Sequence, residues 1–192
     1  MAKKILIISG SPKKDGNTET LIKWFREGAE LSGAVIEQAR ISSLKIRSSG
    51  CMSCRQCQKN KEYGCVVKDD ISGLLLKMID ADVIVMGTPL YFFSASAQIK
   101  ILIDRMFSLF KWDNKAGTME AALKGKALVL LASAFEDVGL KDLEIPFKLT
   151  ADYTSMKFSS LLVPDAGESG EIVKLQGVRE KAVELGRLTA SA

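Results

Sequence analysis

The stretch KKILIISGSPKKDGNTETLIKWFREGAELSG (residues 3–33) joins an apolar segment, a polar loop and an amphipathic segment. Residues 3–10 hold consecutive aliphatic side chains without polar alternation, which is typical of a parallel strand covered on both faces. Residues 17–33 follow with apolar side chains at helical spacing, and Asn17 or Thr18 is available as the N-cap. This strand–loop–helix unit predicts an α/β domain.

The rest of the chain repeats this alternation. Further strands are predicted at 34–41, 81–89, 126–133 and 157–164, and helices at about 70–80, at 96–110 and at 169–188, the last capped by Ser169. Alternating strands and helices predict a doubly wound sheet with right-handed crossovers. Five strands favour a flavodoxin-like three-layer sandwich, with a five-stranded parallel sheet of order 2-1-3-4-5 and helices on both faces. We expect one domain over residues 1–192, with a cysteine-rich loop at about 44–68.

Composition excludes several classes of function. Hydrophobic residues make up 47 % and charged residues 26 % of the chain, as in ordinary globular proteins. The net charge of +4 is mild and the basic residues are scattered among acids, so we expect no nucleic-acid partner. No apolar run is long enough for a membrane span or a signal peptide, and we therefore predict a cytoplasmic protein with no membrane partner. The absence of histidine excludes Ser-His-Asp triads, Cys-His pairs and zinc sites that need imidazole.

The loop at residues 9–20 suits an anion. It precedes a helix N-terminus, where free N–H groups and the helix dipole favour negative charge. It lacks the Walker lysine, because Asn17 stands in that place, and it lacks the G-x-G-x-x-G fingerprint. A Gly/Pro turn before a capped helix is the alternative. Candidate side-chain donors to a phosphate are Ser9, Ser11, Asn17 and Thr18.

A second loop, GTPLYFFSASAQIK (87–100), follows the third predicted strand at the same edge of the sheet. Its apolar and aromatic residues would pack against a flat ring system: Pro89, Leu90, Tyr91, Phe92 and Phe93. Aromatic residues near a strand end also commonly belong to the core, which is the alternative interpretation.

Together, GSPKKDGNTETL and TPLYFFSASAQIKILIDRM resemble the NADPH-dependent FMN reductase-like branch of the flavodoxin superfold. The resemblance runs from residue 3 to about residue 131. It implies FMN as the cofactor, with its phosphate held by Ser11, Lys13, Asn17 and Thr18. It also implies that Pro89, Leu90, Tyr91 and Phe92 flank the flavin and that Ser133, in the third flavin loop, contributes to the site.

All four cysteines of the chain lie between residues 50 and 65, as Cys51, Cys54, Cys57 and Cys65. Their spacing, C-x2-C-x2-C-x7-C, begins like the cysteine runs that bind [4Fe–4S] clusters. Structural zinc sites more often use two separated C-x2-C pairs, so the triplet fits zinc less well. Metal-free cysteines are a third possibility, whereas disulfides are disfavoured in a reducing compartment.

The cysteine motif resembles that of the iron–sulfur flavoproteins within the same branch. This resemblance implies that the four cysteines bind a [4Fe–4S] cluster, which would receive single electrons from ferredoxin or a similar acidic donor. FMN would pass them to a small-molecule acceptor such as oxygen, peroxide or a quinone. The resemblance to the iron–sulfur flavoproteins also implies a homodimer or homotetramer. A cluster-free NAD(P)H-dependent FMN or quinone reductase and a zinc-stabilised, non-enzymatic FMN-binding module are the alternatives.

Basic residues surround the cysteines, namely Lys45, Arg47, Arg55, Lys59, Lys61 and Lys68, against the acidic residues Glu62, Asp69 and Asp70. A solvated loop commonly carries such charges. The functional interpretation is an electropositive patch that favours an acidic electron-transfer partner.

Overall fold

The fold is built around a central sheet, and the computed structural model describes residues 2–113 and 115–192. The strands are β1 (Lys4–Ser9), β2 (Val35–Arg40), β3 (Val83–Tyr91), β4 (Ser94–Ala95), β5 (Phe110–Asp113), β6 (Thr118–Ala121), β7 (Ala127–Ser133) and β8 (Lys157–Val163). The helices are α1 (Asn17–Leu31), α2 (Gln56–Lys59), α3 (Asp70–Asp80), α4 (Ala97–Arg105), α5 (Glu144–Tyr153) and α6 (Val178–Ser191). Short 3-10 helices span Ile41–Ser43, Met106–Leu109 and Glu171–Lys174.

Five strands of the sheet are parallel and lie in the order β2-β1-β3-β7-β8. Counted along the chain, this is the predicted order 2-1-3-4-5, and the predicted flavodoxin-like fold is confirmed. The short strand β4 adds an antiparallel partner to the end of β3, where Tyr91 pairs with Ser94. The hairpin β5–β6 forms a separate two-stranded sheet.

The sheet is covered on both faces, as the continuous apolar run in β1 predicts. Leu6 and Ile8 pack into the core that includes α3 and α4, whereas Ile5 and Ile7 pack into the core beneath α1 and α6. Because side chains alternate across a strand, four consecutive aliphatic residues fill both cores at once.

Helices α1 and α6 pack closely because glycine lies at their contact. A Cβ atom on Gly28 would fall 1.8 Å from the carbonyl oxygen of Val183, and one on Gly186 would fall 2.0 Å from that of Phe25. The two helix backbones therefore touch directly, which any larger side chain would prevent.

The helix predicted at 169–188 starts later, so that prediction is wrong at its N-terminal end. Gly170 and Gly177 have φ values of +90° and +74°, which a continuous helix does not allow. Residues Glu171–Lys174 form a 3-10 turn between them, and α6 begins at Val178 with Gly177 as its N-cap. Ser169 is not a cap, and its hydroxyl donates to the carbonyl of Asp15 at 3.2 Å.

Some elements carry too weak a pattern for prediction. The hairpin β5–β6, the short strand β4 and helix α5 were not expected, and the helix predicted at 96–110 ends at Arg105 before a 3-10 turn and β5. None of the helices that the structure describes is both long and apolar enough to cross a bilayer.

Candidate functional site

A cavity of about 270 Å³ lies at the carboxyl edge of the sheet, at the ends of β1, β3 and β7. Doubly wound sheets bind ligands at this edge. Eight of the ten predicted cofactor-binding residues line the cavity, namely Ser11, Lys13, Asn17, Thr18, Pro89, Leu90, Tyr91 and Ser133. The fold thus brings three loops, far apart in sequence, onto one concave surface.

The other two predicted residues, Ser9 and Phe92, lie outside the lining of this cavity. Ser9 is buried below the loop, where its hydroxyl donates to the carboxylate of Glu19 and accepts the N–H of Ser11 at 3.2 Å. Arg40 donates to the same carboxylate at 3.1 Å. Ser9 therefore anchors the loop from beneath.

Phe92 and Phe93 form the two-residue turn between β3 and β4, with φ values of +49° and +63°. Two-residue hairpin turns with positive φ normally use asparagine and glycine, because a Cβ atom is strained there. The Phe92 side chain is 97 % exposed. The turn beside the cavity therefore has a strained backbone and carries an exposed aromatic side chain.

The first backbone N–H groups of α1 are available as anion donors at this cavity. The helix begins after Gly16, whose position carries no side-chain cap. Ser11 uses its hydroxyl to donate to the carbonyl of Lys13 at 3.0 Å, and Lys13 supplies a cation at the rim. An uncapped helix N-terminus with a neighbouring lysine favours a phosphate.

Asn17 fastens a further loop to the site. Its amide nitrogen donates to the carbonyls of Ala166, Gly167 and Glu168 at 2.9–3.2 Å, and its Oδ1 accepts the N–H of Gly170 at 2.8 Å. The side chain is thus occupied by protein partners. The donor that Asn17 has left for a phosphate is its backbone N–H, at the start of α1.

The fastened loop adds lining residues that sequence reasoning missed, namely Gly167, Glu168 and Ser169, together with Ala134 and Phe135 after β7. The sequence contains a signal for the residues of this loop. Since residues 164–170 follow the last parallel strand, they had to emerge at the same edge as the other loops.

Thr18 and Ser133 pair with each other. Their hydroxyl oxygens are 2.9 Å apart, and both residues are buried. This bond ties the first turn of α1 to the end of β7, so the two predicted ligands also set the width of the cavity.

The four cysteines line one further cavity, between the loop that follows β2 and the end of α4. Cys57 lies on α2 and is 7 % exposed, Cys65 is half-buried, and Cys51 and Cys54 are exposed. None of them forms a disulfide in the described part of the chain. Burial raises the pKa of the Cys57 thiol.

Lys111 of β5 holds the long segment between Cys57 and Cys65. Its ammonium group donates to the carbonyls of Cys57 (2.7 Å), Asn60 (2.9 Å) and Glu62 (2.7 Å). The N–H of Gly64 donates to the carbonyl of Ser108 at 3.0 Å. The unexpected hairpin therefore shapes the seven-residue gap before the last cysteine.

Four cysteine thiols are a donor set that iron–sulfur clusters use. Across residues 2–113 and 115–192, no three Cys, Asp or Glu side chains are close enough to hold one metal ion. A zinc site needs its sulfurs about 2.3 Å from one centre, whereas a four-iron cubane spreads its thiolates around a larger body. The four thiols line a cavity of only about 20 Å³, together with Arg105, whose Nε has no hydrogen-bond partner in the described part of the chain.

The predicted basic patch borders the cysteine cavity. Lys59, Lys61 and Lys68 line a depression of about 640 Å³ that has Cys65 in its wall. Asp69, one of the predicted opposing acids, is turned inward and paired with Arg105. Its charge is therefore withdrawn from the surface.

Comparison with known proteins identifies the family of this chain. The sequence profile of the NADPH-dependent FMN reductases matches residues 3–145. An iron–sulfur flavoprotein of Methanocaldococcus jannaschii is 38 % identical over 117 residues, which cover 59 % of this chain and 58 % of that protein. One of Archaeoglobus fulgidus is 34 % identical over 146 residues, which cover 76 % and 69 %.

The chain spans little more than half the length of the first relative and 45 % of another iron–sulfur flavoprotein of Archaeoglobus fulgidus. Among solved structures, an FMN-dependent NADH-azoreductase of Bacillus anthracis in complex with FMN superposes with a TM-score of 0.75 at 17 % identity, covering 98 % of this chain and 99 % of that one. This likeness shows the fold alone. From the profile match and the Archaeoglobus relative, the chain belongs to the NADPH-dependent FMN reductase family, in the branch that contains the iron–sulfur flavoproteins.

Proposed function

We propose that the protein is an FMN-dependent oxidoreductase of the iron–sulfur flavoprotein type. Single electrons from an acidic donor such as ferredoxin would enter at the four cysteines and leave through FMN to oxygen, peroxide or a quinone. One observation supports this most strongly: eight predicted flavin-binding residues share one cavity while all four cysteines share another.

The first cavity suits FMN by its chemistry. The N–H groups at the start of α1 and the ammonium of Lys13 would hold the phosphate, and Pro89, Leu90 and Tyr91 would flank the ring. FMN, when bound, supplies the exchange between one-electron and two-electron transfer. Since the sequence has no histidine, the proton donors available to the site are hydroxyls, carboxylates and water.

The second cavity suits a [4Fe–4S] cluster, which when bound supplies single-electron transfer. Cys51, Cys54, Cys57 and Cys65 would be its ligands. Lys111 keeps Cys57 and Cys65 on the same cavity by fixing the carbonyls between them. A zinc-stabilised module without enzymatic activity is less well supported, because the relatives of this chain bear the name iron–sulfur flavoprotein.

The two cavities lie at the two ends of one short helix. Ser96, the N-cap of α4, donates to the carbonyl of Gly10 at 2.9 Å, within the loop at residues 9–20. Arg105, the last residue of α4, lines the cysteine cavity. Nine helical residues span about 13 Å, so a rigid element of that length connects the two regions.

The lysine-lined depression beside Cys65 supports an acidic donor protein. Lys59, Lys61 and Lys68 present three ammonium groups around the route to that cysteine. Charge complementarity of this kind mainly raises the association rate, and salt weakens it. We also propose a homodimer or homotetramer, which light scattering after gel filtration would measure.

The function is tested by mixing anaerobic protein with reduced ferredoxin and following flavin reduction in a stopped-flow instrument. We expect rapid reduction that slows at high salt, slows in Lys61→Glu, and is unchanged in Lys23→Glu, an exposed lysine on α1. Loss of the reaction in Cys54→Ser with FMN retained would locate entry at the cysteines.

The competing function is a cluster-free NAD(P)H-dependent reductase, which the family name favours. It predicts that NADPH reduces the flavin directly and that Cys54→Ser leaves this rate unchanged. Fast reduction by NADPH together with no reduction by ferredoxin would replace our proposal with this one.

A further inference from the structure

A buried guanidinium forms part of the wall of the cysteine cavity. Arg105 ends α4, is 1 % exposed, and is the largest fully buried side chain among the described residues. Burying a cation is costly unless it is paired, so its partners need to be accounted for.

Asp69 and its neighbours occupy two of the three guanidinium nitrogens. Nη1 donates to Asp69 at 2.7 Å, and Nη2 donates to Asp69 at 2.8 Å, to the Ser72 hydroxyl at 2.8 Å and to the Val67 carbonyl at 3.3 Å. The remaining nitrogen, Nε, has no acceptor within the part of the chain that the structure describes. A buried, unpaired donor is rare and calls for a partner.

Cys65 lies beside this guanidinium. Both residues line the cysteine cavity. Within the described residues the Nε donor makes no hydrogen bond of ordinary geometry, so it is still available to the neighbouring sulfur of Cys65. The sulfur of Cys65 is therefore a natural acceptor for it.

Asp69 fixes the guanidinium in this place. Its carboxylate also accepts the N–H of Arg47 at 3.0 Å and caps α3 by accepting the N–H of Ser72 at 3.1 Å. A fork held on one side by a rigid carboxylate cannot turn away, which pre-organises the third N–H towards the cavity.

We propose that Arg105 is a positioning residue for the cluster: its Nε–H would donate to the sulfur of Cys65, and its positive charge would stabilise the reduced state. The proposal depends on the proposed function. The electron comes from the donor protein, and it adds one negative charge beside a fixed cation. Hydrogen bonds to the cluster sulfurs and a nearby positive charge both raise the reduction potential of the cluster.

The test compares the cluster reduction potentials of Arg105→Met and Asp69→Asn, measured by spectroelectrochemistry on anaerobic protein. Both variants break the same ion pair, so structural damage alone would move both potentials alike. We expect Arg105→Met to lower the potential, so that the ratio of reduced to oxidised cluster at a fixed potential falls about tenfold. Asp69→Asn keeps the guanidinium and removes a negative charge, and its potential should rise.

FMN content and iron content are measured on the same samples, and Arg105→Lys replaces the methionine variant if that variant does not fold. The lysine variant keeps the cation but lacks the planar Nε donor, so its potential should fall by less. Shifts of the same sign in Arg105→Met and Asp69→Asn, or no shift, would overturn the role of Arg105 while the cluster stands. Wild-type protein without iron would instead overturn the proposed function itself.

Discussion

The flavin cavity and the cysteine cavity are held in place by different means. Regular elements form the first: the end of β1, the start of α1 and the ends of β3 and β7 meet at one sheet edge. Side chains reaching into irregular backbone form the second, chiefly Arg105 and Lys111. Topology therefore positions the flavin site, whereas the backbone around the cysteines is held by two cations, the buried Arg105 and the half-buried Lys111.

The largest expected effect comes from breaking the buried ion pair. Asp69→Ala leaves Arg105 charged and unpaired in the interior, and we expect the free energy of unfolding to fall by about 3–5 kcal/mol. Urea denaturation measures it. The matched control is Asp152→Ala, which breaks an exposed pair with Lys148 and should cost far less. Equal losses in the two variants would contradict the contrast.

The same pair gives a pH dependence of known sign. Burial raises the pKa of Asp69, but hydrogen bonds from Arg105, Arg47 and Ser72 outweigh it and hold the pKa well below its usual range. The unfolded carboxyl takes up a proton near its ordinary pKa of about 3.9, so the stabilisation is complete above about pH 5 and is lost as the pH falls further. The stability gap between wild type and Asp69→Asn should therefore narrow below about pH 4 in urea titrations. A gap that widens on acidification would refute this.

Removing Lys111 should weaken the cysteine region next. Lys111→Met leaves three carbonyls without their common donor, and we expect a loss of about 1–3 kcal/mol. Hydrogen exchange at the Gly64 amide, which bonds to Ser108, should speed up. Lys126→Met is the control, because that lysine bonds only to the carbonyl of Ala81 and should have a smaller effect. An unchanged exchange rate at the Gly64 amide would contradict the role of Lys111 in holding the segment between Cys57 and Cys65.

A smaller effect, confined to the other cavity, is expected from Asn17→Ala. The variant frees the loop that carries Gly167 and Glu168, and FMN should bind about tenfold more weakly, while iron content stays at the wild-type level. Quenching of FMN fluorescence on titration measures the affinity. A fall in iron content along with FMN would show that the two cavities are not independently held.

The smallest expected effect is a gain in stability at the flavin-side turn. Phe92→Asn places a residue that tolerates positive φ at an exposed position, and we expect about 1 kcal/mol of stabilisation by thermal unfolding. Phe93→Asn is the control, because Phe93 packs against Gly139 and its loss should offset the relief. Destabilisation by Phe92→Asn would mean that the turn is not strained.

Sequence predicted the fold correctly, and it selected eight residues that share one cavity, because both predictions rest on periodicity and loop position. The aliphatic run of β1 and the polar loop after it place Ser11 and Thr18 at the sheet edge. The sequence could not predict that the Asn17 side chain hydrogen-bonds to the loop at residues 166–172, because that contact joins residues about 150 positions apart. Nor could it foresee Lys111, which sits in a short hairpin without a clear alternating pattern.

Arg105 was visible in sequence only as a charged residue at the end of an amphipathic helix, where exposure is the usual outcome. Its burial depends on meeting Asp69, 36 residues earlier, which no local pattern encodes. The side-chain contacts that distinguish the cysteine cavity are thus long-range, which explains why the four cysteines could be found from their spacing and their supports could not.

Quantifying iron, zinc and FMN in anaerobically purified protein, with an EPR spectrum after reduction, tests the central claim that two cavities hold two redox groups. We expect about four irons and about one FMN per chain, with a cluster signal on reduction. Protein that contains FMN with no iron, or zinc in place of iron, would contradict the cluster, and protein without any flavin would contradict both cavities.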